Sequence, residues 1–578
     1  MFSRKPKPSQ IVVQSLVGLK ERYQHERLTL TVTIQAINNI LDKYKKEKGE
    51  EHEGIRIRKK YLKITRLLFR LQALGQTNIE DVLSGKMPLE AKQELESKLT
   101  CFIDYLILYV MARRLQILFY KLHPTVEKFI SSSSSSISLE LDEIWEEHKV
   151  YEIDVKFAAE ILRENQTLTS FRLCGDQTVG NAEAQILAEA IRENRTLTSF
   201  SLSGDYIGAI GTQAIAAALI ENRTLTSIVL SGEKIDDAGV QAIARALIEN
   251  HALTSITFHD GGIGAAGVQA LAMVLRKNQT LTSMALRFCK KIGDAEVQAL
   301  AMALIENRTL TSMTLSKCKG IGDAGVQALA MVLRENQTLT SLELELCKID
   351  DAGAQVLAEA VRKNQTLTSF SLTGNRIGDA GAQAIAAALK ENRTLTSINL
   401  YGIQIGDVGA QKIAEALREN QTLTKIKLAG NHIGDAGAQE IATALKENQT
   451  LIEIDLYFNF INIAGLQAIA VALKENITLM KVDLLLCYRN LDVAEEQAKQ
   501  EIERLLARNK AMKISTLFER SFALVRQNSH AAAIEIYDAV LKIDPEYEPA
   551  KNSKNLALKA LKEQEEETAQ RSYRLKFK

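Results

Sequence analysis

An asparagine returns every 28 or 29 residues along most of this 578-residue chain. It stands at Asn165, Asn194, Asn222, Asn250, Asn278, Asn307, Asn336, Asn364, Asn392, Asn420, Asn448 and Asn476. The spacings are 29, 28, 28, 28, 29, 29 and then 28 five times. A period of this length marks stacked copies of one supersecondary unit, each too small to fold alone. Every copy but Asn250, which His-Ala follows, also begins the tripeptide Asn-x-Thr, a textual glycosylation acceptor. The repeat is therefore either a set of modification sites or a piece of scaffold geometry.

One unit, NQTLTSFSLTGNRIGDAGAQAIAAALKE at 364–391, decides between them. Leu367, Phe370 and Leu372 have strand spacing, and Ile377 turns back toward the core. Gly378 and Asp379 supply a turn and an N-cap for a short helix. Ala382, Ile385, Ala386 and Leu389 fall at i, i+3, i+4 and i+7, one buried stripe. Burying the large apolar side chains stabilises the unit by roughly 1.5–3 kcal/mol each. Ordering the residues costs about 1.5 kcal/mol apiece, so stacking must supply the balance and the array is a solenoid. Asn392 follows the helix, where a left-handed C-terminal cap is expected. NRTLTS at 392–397 thus reads as the helix-to-strand return rather than an acceptor, and no secretory signal is visible.

The pattern L-x-x-L-x-L-x-x-N-x-I, followed by a helix in this period, resembles the leucine-rich repeat. Its helical form is similar to the ribonuclease-inhibitor type, also found in Ran GTPase-activating proteins and nucleotide-binding immune receptors. The resemblance implies an α/β solenoid, a horseshoe with a parallel sheet on the concave side and helices outside. In such repeats the asparagine after the strand forms an internal ladder, with cysteine a common substitute. That column here reads Asp176, Asp205, Glu233, Gly261, Cys289, Cys318, Cys347, Asn375, Ile403, Asn431, Asn459 and Cys487. Four of the six cysteines fall in this slot, which implies buried thiols and a reducing, cytoplasmic setting. Gly261 and Ile403 are the places where the ladder is expected to weaken.

Four sections follow. Residues 1–130 read as a helical domain of no recognised family, with 22 Lys/Arg against 13 Asp/Glu in 1–120. Its most apolar window, 102–120, carries Asp104, Arg113 and Arg114 and falls short of a membrane span. Residues 131–150, opening on Ser131–Ser136, read as a linker and lead-in. Residues 151–510 hold about twelve repeats and a capping helix, EEQAKQEIERLLARNKAMK. In 511–578, Ala533, Tyr537, Leu541 and Pro545 resemble the second helix of a tetratricopeptide repeat. Ser521 stands where that family has a small glycine, and Leu556 is placed to begin a next unit.

Catalytic motifs fail one by one. GIGAAG at 262–267 satisfies G-x-G-x-x-G, but the same slot reads IGDAG elsewhere, so its glycines serve a turn. No G-x-x-x-x-G-K-[ST] and no H-E-x-x-H occur, and the cysteines lack metal-ligand spacing. Net charge of +1 gives no reason to expect nucleic-acid binding. Gln383 and its equivalents recur in every full repeat, so they define no single site. The residues that vary carry the information. Along the expected concave face these are His259, Arg287, Phe288, Lys317, Glu343, Glu345, Tyr401, Lys427, Asp455, Tyr457, Phe458 and Asp483. Aromatic rings among charges suit a protein-binding patch.

The expectation is a non-enzymatic interaction scaffold with a protein partner, no cofactor and no metal. A host-directed effector of an intracellular bacterium, delivered to a host cytosol, would fit such a chain. The alternative is a small-GTPase regulator resembling Ran GTPase-activating proteins, with Asn375 or Arg376 as the polar loop residue.

Overall fold

The structure, a computed structural model, describes residues 136–140, parts of 155–178, then 179–484 apart from Lys319, and 493–576. The expectations for 1–130, together with Cys101 and Cys487, lie outside the described residues. The chain divides into two compact units, within 1–262 and 263–578.

In the first unit, strands β1 (Ser136–Glu140), β2 (Ser170–Cys174), β3 (Ser199–Ser203), β4 (Ser227–Ser231) and β5 (Ser255–His259) pair in parallel, in chain order. Helices α1 (Asn181–Glu193), α2 (Ala209–Glu221) and α3 (Asp237–Glu249) alternate with β2 to β5. Strand β1 lies within 131–150, the segment whose sequence reads as a linker and lead-in. Its outer serine, Ser136, pairs with Ser170, the first residue of β2.

The second unit opens with helix α4 (Ala265–Lys277) and runs through β6 (Ser283–Arg287), α5 (Asp294–Glu306), β7 (Ser312–Ser316), α6 (Asp323–Glu335), β8 (Ser341–Glu345) and α7 (Asp351–Lys363). It continues with β9 (Ser369–Ser371), α8 (Asp379–Glu391), β10 (Ser397–Asn399), α9 (Asp407–Glu419), β11 (Lys425–Lys427) and α10 (Asp435–Glu447). The last strands are β12 (Glu453–Asp455) and β13 (Lys481–Asp483), with α11 (Ile463–Glu475) between them. Strands β6 to β13 form one parallel ladder in chain order. The parallel order follows from the sequence. Each strand is returned by a helix, and a crossover of that kind makes neighbours parallel. Leu367, Phe370, Leu372, Ile377, Ile385 and Leu389 are all buried, as their spacing requires.

Three polar devices hold neighbouring repeats in register, and each explains a recurring residue. The first concerns helix starts. Asp379 is not the N-cap of its own helix: Gly378 is, and the capping oxygen comes from the preceding repeat. Asp351 Oδ1 accepts hydrogen bonds from Gly378 N at 3.0 Å and Gly381 N at 2.6 Å. Asp379 in turn caps Gly406 and Gly409, and Asp407 caps Gly434 and Gly437. A carboxylate at the first helical position thus satisfies the orphan amides one repeat downstream. The glycine of DAG is needed because a Cβ at Gly381 would stand 2.8 Å from Asp351 Oδ1 and collide with Ile377. Where a helix begins with alanine, the next one caps itself. After Ala209, Asp236 accepts from Gly239 N at 3.0 Å; after Ala265, Glu296 accepts from Gly293 N at 3.0 Å.

The second device is the asparagine of NRTLTS. Asn392 is 2% exposed, with φ −66° and ψ 135°, which is extended rather than left-handed. The reason is its carboxamide. Oδ1 accepts from Thr394 N (3.0 Å) and Leu395 N (2.8 Å), while Nδ2 donates to Val361 O (2.8 Å) and Asn364 O (3.2 Å) of the previous repeat. A left-handed turn would swing that amide away from those carbonyls. The same bonds recur at Asn222, Asn420, Asn448 and Asn476. An acceptor nitrogen bonded inside the fold has no room for a glycan.

The third device is the ladder after the strand. Asn431 Oδ1 accepts from Ile403 N and Ile405 N, both at 3.1 Å, and its Nδ2 donates to Leu400 O and Leu428 O at 2.9 Å. In the cysteine repeats the thiol takes over the donor role, Cys347 Sγ reaching Glu345 O at 3.2 Å and Leu315 O at 3.5 Å. A hydrogen bond with Cys347 and burial push the Cys318 thiol far above its ordinary range, so it stays protonated. Ile403 keeps the carbonyl half of the ladder, because Asn375 serves Leu372 O and Asn431 serves Leu400 O, but it has no side-chain oxygen to accept from the preceding repeat as Asn431 does.

Helix α12 (Val493–Arg526) follows. Its Asn509 donates to Asn476 O (3.1 Å) and Leu479 O (2.8 Å), adding one rung to the second ladder. Arg508 covers Leu473 O at 2.8 Å and Asn476 O at 2.9 Å. Helices α13 (His530–Ile543) and α14 (Glu548–Lys576) pack onto it around buried Ala533, Tyr537, Val540 and Ala550. Ser521 is fully buried and donates to Phe518 O at 2.6 Å, so a hydroxyl replaces the expected glycine without protruding. Leu556 is 69% exposed.

Candidate interaction surface on the open face of the sheet

Among the described residues, strand alternation leaves one face of each sheet without helices, and the outward residues sit on it in rows one repeat apart. The twelve sequence candidates fall into three groups. In the first unit, His259 Nδ1 lies 2.7 Å from Asp260 Oδ2 and 3.4 Å from Ser231 Oγ. Asp260 lies just past the strand with φ 58°.

The second group spans β6 to β8. Arg287 reaches across β7 to Glu343 (3.3 Å) and Glu345 (3.1 Å) on β8. Thr314 Oγ1 donates to Glu343 at 3.0 Å. This strap lies over Thr314 and Ser316, which are buried although they point to the open face. One guanidinium between two carboxylates has its own charge answered twice over and leaves the three groups one negative charge in excess. Phe288 and Lys317 belong to a different row. They are not strand residues: each follows its strand, at φ 58° and 53°, with Lys317 Nζ 3.8 Å from the Phe288 ring centre.

That post-strand row was missed by alternation alone. In the second unit it runs Phe288, Lys317, Leu346, Gly374, Gly402, Gly430 and Phe458, all at positive φ. A left-handed residue closes each strand so that the ladder residue behind it can point inward. Glycine is suited to this, yet four of the seven are not glycine. The clue in the sequence is three glycines in register with four large residues.

The third group lies on β10 to β13. In the lower row, Lys425 and Lys481 bracket Glu453 at 2.8 and 3.2 Å, and Lys481 also holds Asp483 at 2.6 Å. In the middle row, Lys427, Asp455 and Asp483 are neighbours in register. Burial pushes the Asp455 carboxyl above the usual carboxylate range, with Asp483 adding to it. In the upper row stand Tyr401, Ala429 and Tyr457. Tyr401 is 42% exposed, while Ala429 is 1% exposed. The Tyr401 ring lies over the adjoining Gly430, where a Cβ would meet Cε2 at 3.1 Å. Tyr457 packs edge-on to Phe458, with centroids 4.1 Å apart. The GTPase candidate Asn375 is 2% exposed and both its amide hydrogens are engaged by backbone carbonyls, so it faces no partner.

Among the described residues no group of three or more His, Cys, Asp or Glu is placed to hold a metal ion. No described helix is long and apolar enough to cross a membrane. Repeating strand-turn-helix units, ladders inside and a variable open face outside define a leucine-rich repeat solenoid.

Family comparison agrees. The model described as TMOD/LMOD Leucine-rich domain matches residues 269–396, and the Leucine Rich repeat model matches 221–244, 391–414 and 419–442. The matched segments are leucine-rich repeats, in keeping with the fold. Comparison with curated protein sequences finds no match. Among solved structures the chain is similar to Leiomodin-1 Actin-Binding Site 2, at 26% identity over 30% of this chain and 94% of that one, TM-score 0.26. It is also similar to the yeast Rad7 and Elc1 complex, at 16% identity over 70% and 94%, TM-score 0.42. A third is the tropomodulin C-terminal domain of Caenorhabditis elegans, at 16% identity over 32% and 94%, TM-score 0.23.

Proposed function

We propose that the chain is a non-enzymatic scaffold that engages a protein partner through the open face of its repeat sheet. One observation carries this reading. Most residues that recur in every repeat are consumed by packing and by the three ladders, the exposed helix glutamines such as Gln383 apart, whereas the open face in β10 to β13 changes identity at each strand and carries Tyr401 and Tyr457 among charges, with Phe458 just past β12. Exposed rings on a rigid surface provide large contact area at small entropic cost. The section boundaries 1–130, 131–150, 151–510 and 511–578 remain part of this proposal, with the last section a helical module joined through the continuous helix α12. Of the two residues considered for GTPase regulation, Asn375 is spent in the ladder and Arg376 is exposed, so that alternative rests on Arg376 alone. Delivery into a host cytosol is carried by no residue of the site.

The test is affinity capture with the full chain and with a Tyr401→Ala/Tyr457→Ala variant. The double variant is expected to lose a partner that the wild type retains, while its thermal midpoint moves by less than about 3 °C. Retention of every partner, or a collapse in stability, would contradict the placement of the site.

A further inference from the structure

An open groove of about 600 Å³ runs between helix α12 and the corner that joins α13 to α14. Its floor on α12 is Ala511, Ile514, Phe518 and Phe522, spaced at three, four and four residues so that all face one way. Tyr547 stands on the opposite wall. Phe518 lies edge-on to Phe522 at 4.9 Å and to Tyr547 at 5.7 Å, so the aromatic lining is built in advance. That lining is accessible: Ala511 is exposed and Phe522 is 48% exposed. The rim is polarised along the helix. Lys510 lies toward one end and Glu519, nine residues later, toward the other, about 13–14 Å away. Neither forms an ion pair with a described residue. Arg504 and Arg508, beyond the lysine end, are already engaged by Glu501 and by carbonyls of the last repeat.

The same chain carries a matching strip that its own core does not use. On α14, Ala550 and Ala557 are buried in the cluster that includes Ile514. Leu556, about 100° round the helix from Ala557, is 69% exposed. The face through Leu556 continues to Ala560 and Glu563, with Lys559 on its flank, and residues 563–567 read EQEEE. We propose that α14 of a second copy of this chain lies in the groove, so that two copies exchange the helix about a two-fold axis. Laid antiparallel, Leu556 meets Phe522, Ala560 meets Phe518, Lys559 meets Glu519, and the acidic run comes up to Lys510. The parallel orientation turns the acidic run toward Glu519 and is disfavoured. A chain cannot do this for itself, because its α14 begins beside Tyr547 on the groove's own wall and is held in its own core by Ala550 and Ala557. An isologous pair forms two such contacts at once. An amphipathic helix laid in an apolar groove is a recurring mode of docking. This surface is separate from the open face of the sheet.

The experiment is sedimentation equilibrium on the full-length chain. The wild type is expected to reach twice the 64.1 kDa of one chain, with a dissociation constant in the micromolar range or below. Leu556→Asp should raise that constant by about a hundredfold, since both grooves lose their apolar occupant. Leu556 is exposed in the single copy, so the substitution spares its fold. Glu519→Lys and Lys559→Glu should each weaken the dimer by about tenfold, because every pair occurs twice. The two together should bring it back to within about threefold of wild type. A wild type that stays monomeric at about 100 μM would overturn the inference, whatever else the groove binds. So would a dimer that Leu556→Asp leaves unchanged within about twofold, or charge reversals whose combination gives no recovery. The scaffold reading stands apart from all of these outcomes.

Discussion

Replacing Asn392 by alanine removes the second ladder from one repeat and from nowhere else. The side chain makes four hydrogen bonds at 2.8–3.2 Å, to two amides of its own turn and two carbonyls of the repeat before. Not all four groups are stranded by its loss. Thr394 Oγ1 already donates to Asn364 O at 3.3 Å, and Thr394 N is partly open to water. Val361 O also accepts from Asn364 N at 3.1 Å, so Leu395 N is the group that stays buried without a substitute. At about 1–3 kcal/mol for a buried group left unpaired, the expected cost is about 1–3 kcal/mol. In a repeat array this loss acts first on the neighbouring interfaces rather than on one global transition. The sharper assay is therefore native-state hydrogen exchange at single amides. Leu395 N should lose protection by a factor of about 5 or more relative to wild type, since 1 kcal/mol is roughly that ratio, while Leu451 N, two repeats downstream, should hardly change. Unchanged exchange at Leu395, or a loss spread evenly over the array, would refute the assignment of this asparagine to an inter-repeat bond.

Three further outcomes follow from the geometry. Gly381→Ala should cost about 1–3 kcal/mol in urea unfolding, because the added methyl meets Asp351 Oδ1 and Ile377, whereas Gly378→Ala, with its nearest atom 3.7 Å away, should cost less than about 1 kcal/mol. Gly374→Leu should be strongly destabilising, since Gly374 has φ 67° and a Cβ there would collide with the Leu346 side chain; the same unfolding assay on Leu346→Gly should show a change within about 1 kcal/mol of wild type. Asp455 has its pKa raised by burial, so the folded state holds the proton more tightly than the unfolded one. Stability should then fall as pH rises from the ordinary carboxylate value through the folded one, and Asp455→Asn should flatten that part of the melting-temperature profile.

The fold was legible because its information is periodic. Leu367, Phe370, Leu372, Ile385 and Leu389 announce strand and helix by spacing, and eleven repetitions of a 28–29-residue step leave no other arrangement that buries them. What was not legible is how one repeat reaches the next. Asp379 looks like a cap for its own helix because a cap is a local pattern. That its oxygen serves Gly406 and Gly409 depends on the distance between stacked units, which no local pattern reports. Asn392 was misread for the same reason: its conformation answers to carbonyls 28 and 31 residues earlier. At the candidate site, alternation placed Arg287, Glu343, Glu345, Lys427 and Asp455 on one face, but it could not see that the strand ends before Phe288, Lys317 and Phe458.

These ladders also decide where function can reside. A residue that bonds two repeats at once is constrained on both sides, so Asn392, Asp379 and Asn431 cannot vary without opening the stack. Residues on the open face bond at most sideways, to the same face of a neighbouring strand, and a change there alters one row and leaves the core intact. The Arg287 strap shows one consequence: a long side chain crossing β7 joins two carboxylates and buries Thr314 and Ser316. The strands β10 to β13 show the other. There Ala429 is closed over at 1% exposure, with the Tyr401 ring against the adjoining Gly430, and Asp455 forms no ion pair with a described residue. Lengthening that alanine tests how tightly the row is packed. Ala429→Arg should cost about 1–3 kcal/mol in urea unfolding by overpacking and should displace the Tyr401 ring. An unchanged unfolding midpoint would show that the row holds open space between Tyr401 and Tyr457.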